Sequence, residues 1–306
     1  MEKIKINTRY KTMLADTITP VSIYLNIRDK YKKSFLLESS DYHGNEDSYS
    51  FICFNPVASF KVEDEKIFIV YPNGDFETKS AIQYDVVDEL NEFAGLFEGE
   101  DLGFDFVTNG LFGFTSFEGV QHFEDIDFDY QQKEDKKVPD MHYMVFQNII
   151  SINHFKNELY LFEHRSEIGT GSGPESLEKL EELVKSPNVT QGSFEKEGDE
   201  ISNCTDEEFL KMVQNAKKHC KRGDVFQLVL SREFSQDFKG DDFTLYRALR
   251  SINPSPYLFY FDFGKFKIFG SSPEAQIVIK NRKATIYPIA GTFRRTGDDQ
   301  KDAKLA

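Results

Sequence analysis

Tryptophan is absent from this chain, cysteine occurs only three times, and no apolar run approaches the roughly twenty residues that span a membrane. Each absence removes a class of explanation. Cys53, Cys204 and Cys220 are an odd number without metal-ligand spacing, so a disulfide framework and a structural zinc site are both excluded. They read as small buried thiols in a reducing compartment, and no reactive-thiol context surrounds any of them. The six histidines, His43, His122, His142, His154, His164 and His219, show no zinc spacing either and read as surface or satisfied side chains. The N-terminal Met-Glu-Lys-Ile-Lys-Ile lacks the apolar core of a signal peptide, which makes the cytoplasm the expected location. No phosphate-cradling glycine loop follows a strand and opens a helix, so nucleotide-dependent chemistry is not supported.

Positive charge is scarce as well. With 37 Lys and Arg against 52 Asp and Glu, the net charge of -15 repels nucleic acid and anionic membrane over most of the surface. An anionic substrate then needs a cation or a local nest of donors to reverse the field.

The chain is rich in aromatic strand. Thirty Phe and 14 Tyr recur in short extended runs, and 306 residues suffice for one large or two ordinary domains with a well-buried core. A proline-opened helix is expected over 17–29, then strands at 34–39, 49–54, 57–62, 66–71 and 76–79, the last two joined by Pro72-Asn73-Gly74-Asp75. Val86, Val87, Leu90, Phe93, Ala94 and Phe97 recur at helical spacing. The glycine-punctuated Leu111–Phe117 suits a strand that another backbone approaches closely. After an acidic loop at 118–137, 141–152 and 158–163 form a hairpin, 177–184 a short helix, and Ser186–Asp199 a linker.

Thr205 and Glu208 form a capping box, Phe209, Met212, Val213, Ala216 and Cys220 share one helical face, and Gly223 supplies the stop. The alternation in 225–234 predicts a buried strand. A further helix is expected over 242–252, followed by a four-strand antiparallel run to 289. The expected fold class is α+β, with antiparallel sheets packed as a sandwich and helices on the outer faces. Two domains are expected, 1–200 and 201–306.

Three places carry candidate chemistry. Glu274 follows Gly270-Ser271-Ser272-Pro273 at a strand corner. Partial burial there would raise a carboxyl toward general-acid duty, whereas a solvated turn residue is the plain reading. Gly291-Thr292 ends a strand with a residue that lets a ring or carboxylate approach the backbone, or simply makes a turn. Gln227, between apolar neighbours, needs a partner, because an unpaired buried amide costs about 1–3 kcal/mol. That partner is a substrate in one reading and neighbouring backbone in the other.

Gly223-Asp224-Val225-Phe226-Gln227 with Val229-Leu230-Ser231, Asn253-Pro254-Ser255-Pro256-Tyr257, Gly270-Ser271-Ser272-Pro273-Glu274 and Pro288-Ile289-Ala290-Gly291-Thr292, in this order, resemble the large subunit of anthranilate synthases. Leu36-Leu37-Glu38-Ser39 is similar to that family's tryptophan-sensing segment. The resemblance covers almost the whole chain. It implies a lyase of tryptophan biosynthesis that takes chorismate and ammonia to anthranilate and pyruvate with Mg²⁺. A glutamine amidotransferase subunit would deliver the ammonia in a hetero-oligomer. By that likeness Glu274 protonates the departing 4-hydroxyl of chorismate, Gly291 and Thr292 contact the substrate, and Gln227 stands where water-adding relatives place a lysine base.

Ala290 replaces the lysine of covalently acting aminodeoxychorismate synthases, and a methyl group is no nucleophile. The resemblance also implies a feedback pocket for tryptophan made of Glu38, Ser39, Pro256, Tyr257 and Leu258. Leucine stands at 258 where relatives commonly have methionine, a volume-conserving exchange. The family continues well beyond Thr292, through its Mg²⁺-ligating glutamates and a catalytic histidine. No metal ligand is therefore assigned within 1–306, and this polypeptide alone is expected to be inactive. The competing readings are a non-catalytic amino-acid-binding module and a related aminodeoxychorismate synthase.

Overall fold

The computed structural model describes residues 2–39, 48–126, 128, 137–169, 171, 173–186, 192–289, 291 and 294–305. The elements of the N-terminal stretch are β1 (Ile4–Leu14), α1 (Pro20–Ile27), β2 (Phe35–Ser39), β3 (Tyr49–Glu63), β4 (Lys66–Val70), β5 (Phe76–Ser80), α2 (Val86–Leu96), β6 (Phe97–Gly99) and β7 (Phe112–Thr115). There follow β8 (Met141–Asn153), β9 (Glu158–Ser166), α3 (Leu177–Lys185), β10 (Phe194–Ser202), α4 (Asp206–Arg222), β11 (Phe234–Gly240) and α5 (Asp242–Ile252). The last elements are β12 (Tyr257–Asp262), β13 (Lys267–Ser272), β14 (Val278–Lys280), β15 (Lys283–Thr285) and α6 (Asp299–Leu305). Helix and strand are mixed, and residues divide by contact into one unit of 1–190 with 249–271 and another of 191–248 with 272–306.

In the first unit, β3 and β8 pair antiparallel along their length and form the spine of an 11-stranded sheet. The sheet forks. At one end the spine is flanked by β2 and β9, at the other by β4 and β7. Beyond β9 lie β1, antiparallel, and β6, which pairs with β1 in parallel; beyond β2 lie β12 and β13. Asn55-Pro56 was expected to end a strand, and instead β3 runs through it. Asn55 takes a positive φ of 56° and the register slips between Pro56 and Ala58, a bulge that accommodates proline without breaking the ladder.

Residues of β8 serve two cores. Met141 and Val145 pack with Phe60, Ile67, Ile69 and the α2 residues Val86, Phe93 and Leu96. Met144, Phe146 and Ile149 pack with Phe35, Phe162, Phe261 and Phe263. Phe35 is the hub of the second, with ring centroids 4.5 Å from Phe261 and 5.0 Å from Phe146. Helix α1 starts on a Thr19–Ser22 capping box with Pro20 in its first turn, and the Asn26 amide donates to the Leu183 carbonyl near the end of α3. Gly113 is where a backbone approaches: an added Cβ would stand 1.9 Å from the His142 carbonyl oxygen on β8.

In the second unit β10 pairs with β11, and β14 with β15. Helix α4 has the expected Thr205–Glu208 box and a left-handed Gly223 at φ 83°. Four expectations are corrected. Residues 194–199 of the expected linker belong to β10, because β11 offers them a hydrogen-bonding edge. Residues 225–231 are not a strand; Phe226 and Val229 are exposed, and alternation without a neighbouring edge makes no ladder. The four-strand run to 289 separates into β12 and β13 of the large sheet and the β14–β15 hairpin. Finally, Cys53 is buried, Cys204 is partly so, and Cys220 is exposed on an α4 face of which no residue is buried.

Candidate functional site

The two halves of the expected feedback pocket, more than two hundred positions apart in sequence, are neighbours in the first unit. Apolar Phe35, Leu36 and Leu37 hold β2 in the sheet, and aromatic β12 pairs antiparallel with it. The register sets Tyr257 opposite Ser39 and Leu258 opposite Glu38. Leu258 is buried, and Pro256 and Tyr257 are exposed at the strand's start.

Glu38 is the unusual member, a buried carboxylate at 2% side-chain exposure. The Arg250 Nε donates to its Oε2 at 2.7 Å. Arg250 lies in the last turn of α5, where the helix dipole favours a cation. Around this pair the Ser48 hydroxyl donates to Ser39 Oγ at 3.3 Å, and Ser50 Oγ lies 2.6 Å from His154 Nε2. Desolvation of the His154 ring, and secondly the Arg250 charge, lower its pKa and favour the neutral imidazole. Arg250, Ser50 and His154 were not among the residues singled out from sequence. For Arg250 the signal was there, a basic residue in a helical last turn directly before Asn253-Pro254.

The expected catalytic residues lie in the second unit. Glu274 follows β13, its N–H donating to Ser272 Oγ at 3.4 Å and its carbonyl accepting from the same hydroxyl at 3.1 Å. Its side chain is exposed, and the partial burial expected of it is not present. Gln227 is exposed, and the partner its burial would have required is not needed. Gly291 is exposed, with no heavy atom within 4 Å of where a Cβ would stand. Ala290 and Thr292 lie outside the described residues. No hydrogen bond or ion pair among the described residues joins Gln227, Glu274 and Gly291.

Two further features bear on chemistry. Among the described residues no three His, Cys, Asp or Glu side chains gather to hold a metal ion. A cleft of about 590 Å³ opens at the β3 bulge, lined by Asn7, Asn55, Tyr71, Gln147, Arg165 and Glu167 among others. None of the site residues expected from sequence lines it.

A large sheet that brings Glu38 beside Leu258 defines a mixed helix-and-strand protein with a buried carboxylate at a strand pair. The profile described as chorismate binding enzyme matches residues 32–306, and the chain belongs to that family. It is 31% identical to anthranilate synthase component 1 of Lactococcus lactis subsp. lactis (strain IL1403), a match covering 97% of this chain and 64% of that protein. It is 32% identical to the component 1 of Thermus thermophilus, over 99% of this chain and 63% of the relative. The chain thus spans less than two thirds of the length of these relatives.

The crystal structure of anthranilate synthase component I from Streptococcus pneumoniae superposes with a TM-score of 0.53 at 25% identity, covering 88% of this chain and 59% of that one. The menaquinone-specific isochorismate synthase of Escherichia coli does so with a TM-score of 0.54 at 12% identity, covering 90% and 52%, a likeness of fold. No helix among the described residues is long and apolar enough to cross a membrane.

Proposed function

We propose that this chain is the tryptophan-sensing part and the first catalytic part of an anthranilate synthase large subunit. In this reading the complete enzyme converts chorismate and ammonia to anthranilate and pyruvate, in the cytoplasm and with Mg²⁺, and a glutaminase subunit delivers the ammonia. Residues 1–200 carry regulation and 201–306 begin the chorismate-binding domain. Glu274 acts as general acid, Gly291 and Thr292 contact substrate, and Gln227 stands where water-adding relatives place a lysine base. Tryptophan binds at Glu38, Ser39, Pro256, Tyr257 and Leu258. The two arms of the forked sheet close as a sandwich, a reading supported by the two separate cores that β8 serves.

The carrying observation is the β2–β12 register. It puts Glu38 opposite Leu258 and Ser39 opposite Tyr257, so that four of the five residues expected in the pocket meet on one strand pair. A carboxylate suits an ammonium group, and leucine and tyrosine suit an indole.

Because the chain has no tryptophan, the ligand supplies its own fluorescence. Saturable binding of L-tryptophan to the folded chain is expected, and its absence would count against the pocket. For catalysis, the chain is fused to the C-terminal portion of a component 1 relative and given chorismate, Mg²⁺ and ammonium. Anthranilate is the expected product, with Glu274→Gln strongly impaired and residues 1–306 alone inactive. Aminodeoxychorismate, which retains the pyruvyl group, would assign the chain to the related synthases. A second reading, a non-catalytic amino-acid-binding module, is favoured by one observation. The regulatory residues converge, whereas Gln227, Glu274 and Gly291 are exposed and no hydrogen bond or ion pair joins them. Tryptophan binding without turnover by the fused protein would decide for it.

A further inference from the structure

We propose that Arg250 is a positioning residue of the amino-acid pocket, holding the Glu38 carboxylate in the ionised form and orientation that receive the ligand's ammonium group. The inference rests on the tryptophan-binding reading above and adds a residue that reading does not include.

Glu38 cannot do this by virtue of its place in β2 alone. A carboxylate at 2% side-chain exposure is cut off from bulk water, and an uncompensated carboxylate there either takes up a proton or turns toward solvent. In both cases the anionic acceptor is lost. The guanidinium of Arg250 supplies the compensating charge through Nε at 2.7 Å, and its own side chain, 41% exposed, keeps contact with water.

The base of that arm is fixed. Asn253 N donates to the Leu249 carbonyl at 2.8 Å, and Ser271 Oγ donates to the Asn253 carbonyl at 2.5 Å, which ties the end of α5 to β13. The other side of the pair is fixed by the ladder that opposes Glu38 to Leu258. An ionised carboxylate has about four lone-pair sites on two oxygens, which lets one group accept from a guanidinium and from an ammonium group together. The nearby hydroxyls of Ser39, Ser48 and Ser50 engage one another or His154, whose lowered pKa keeps a second full positive charge away.

The role acts through Glu38 on one part of the ligand, and that separates it from a merely structural one. The experiment titrates the folded chain, by ligand fluorescence, with L-tryptophan and with indole-3-propionate, which lacks the amino group. Both are measured for wild type, Arg250→Gln and Arg250→Lys, with circular dichroism confirming the fold of each.

Arg250→Gln is expected to weaken tryptophan binding by about tenfold or more, as loss of a charge-assisted hydrogen bond implies, and to change indole-3-propionate binding by less than about twofold. Arg250→Lys, which keeps the charge and loses the planar fork, is expected to recover part of the tryptophan affinity. Equal loss for both ligands would mean that Arg250 only supports the fold, and unchanged or tighter tryptophan binding would mean that it competes with the ligand. Either result overturns the proposal while leaving the pocket standing. If folded wild type binds no tryptophan, the pocket and the proposal fall together.

Discussion

Glu38 and Arg250 stand 212 positions apart and meet at 2.7 Å. Neither is remarkable in its own segment, one being a charged residue in a short strand and the other a basic residue ending a helix. Their pairing joins β2 to the chain just before β12, the strand that completes the site. Removing one partner strands a buried charge, whereas removing both does not. Because Arg250 is partly exposed, solvent screening discounts the interior figure. Arg250→Gln is expected to lower the unfolding free energy by about 1–3 kcal/mol. Adding Glu38→Gln is expected to return part of that loss, a coupling that urea denaturation of the four members of the cycle measures directly. Additive single effects would show that the two side chains do not interact.

Gly113 is expected to resist any substitution. Its φ is unexceptional, so the constraint is space: a Cβ would stand 1.9 Å from the His142 carbonyl oxygen, and backbone cannot swing aside as a long side chain can. Gly113→Ala should therefore separate β7 from β8 and cost about 2 kcal/mol or more. The matching control is Gly99→Ala, where no heavy atom lies within 4 Å of the new methyl group. Near-equal denaturation midpoints for the two variants would refute the steric account.

The thiols separate by exposure. Cys53 is fully buried and its pKa is raised by that burial, while Cys220 lies exposed on α4. An aromatic disulfide reagent should label Cys220 in the folded chain within minutes and leave Cys53 unlabelled until denaturant is added. Rapid labelling of Cys53 without denaturant would contradict its place in the sheet.

What was legible in the sequence follows from how local each signal is. The Thr205–Glu208 box, Gly223 and the ends of α5 were readable because caps and stops act within four residues. Strand β1 has no counterpart among the elements expected from sequence, although Ile4 and Ile6 alternate with polar residues; its remaining positions are mostly exposed and dilute the pattern. The strand expected at 225–234 failed for the opposite reason, since periodicity states which residues share a face and supplies no edge to bond. The pairing of Glu38 with Leu258 came only from family resemblance. Register between segments so distant is decided by the packing of Phe35, Phe146 and Phe261, which no local pattern encodes.

His164 makes the fold sensitive to mild acid. It is 2% exposed on β9, with Nε2 3.0 Å from the Thr108 carbonyl and Nδ1 2.9 Å from the Thr8 hydroxyl, an arrangement that suits the neutral ring donating from Nε2. Burial lowers its pKa to about 4, against about 6.5 in an unfolded chain. Between those values the unfolded state binds more protons than the folded one. Stability is thus fully present above about pH 6.5 and falls as pH drops toward 4. His142, stacked on Phe263 with a pKa lowered to about 3, acts in the same direction over a wider range.

Carboxylates with lowered pKa, such as Glu181 between Lys11 and Lys185, lose their contribution only below their ordinary range, so the window from pH 6.5 to 5 isolates the histidines. Across that window His164 is expected to contribute about 1.5–2 kcal/mol of lost stability. Urea denaturation at pH 6.5, 5.75 and 5 should show this loss in wild type. His164→Gln, which keeps a donor for Thr108 and cannot titrate, should remove that share of the slope. A slope unchanged by the substitution would mean that the ring is solvated, and that strand β1 does not cover it as the ladder with β9 requires.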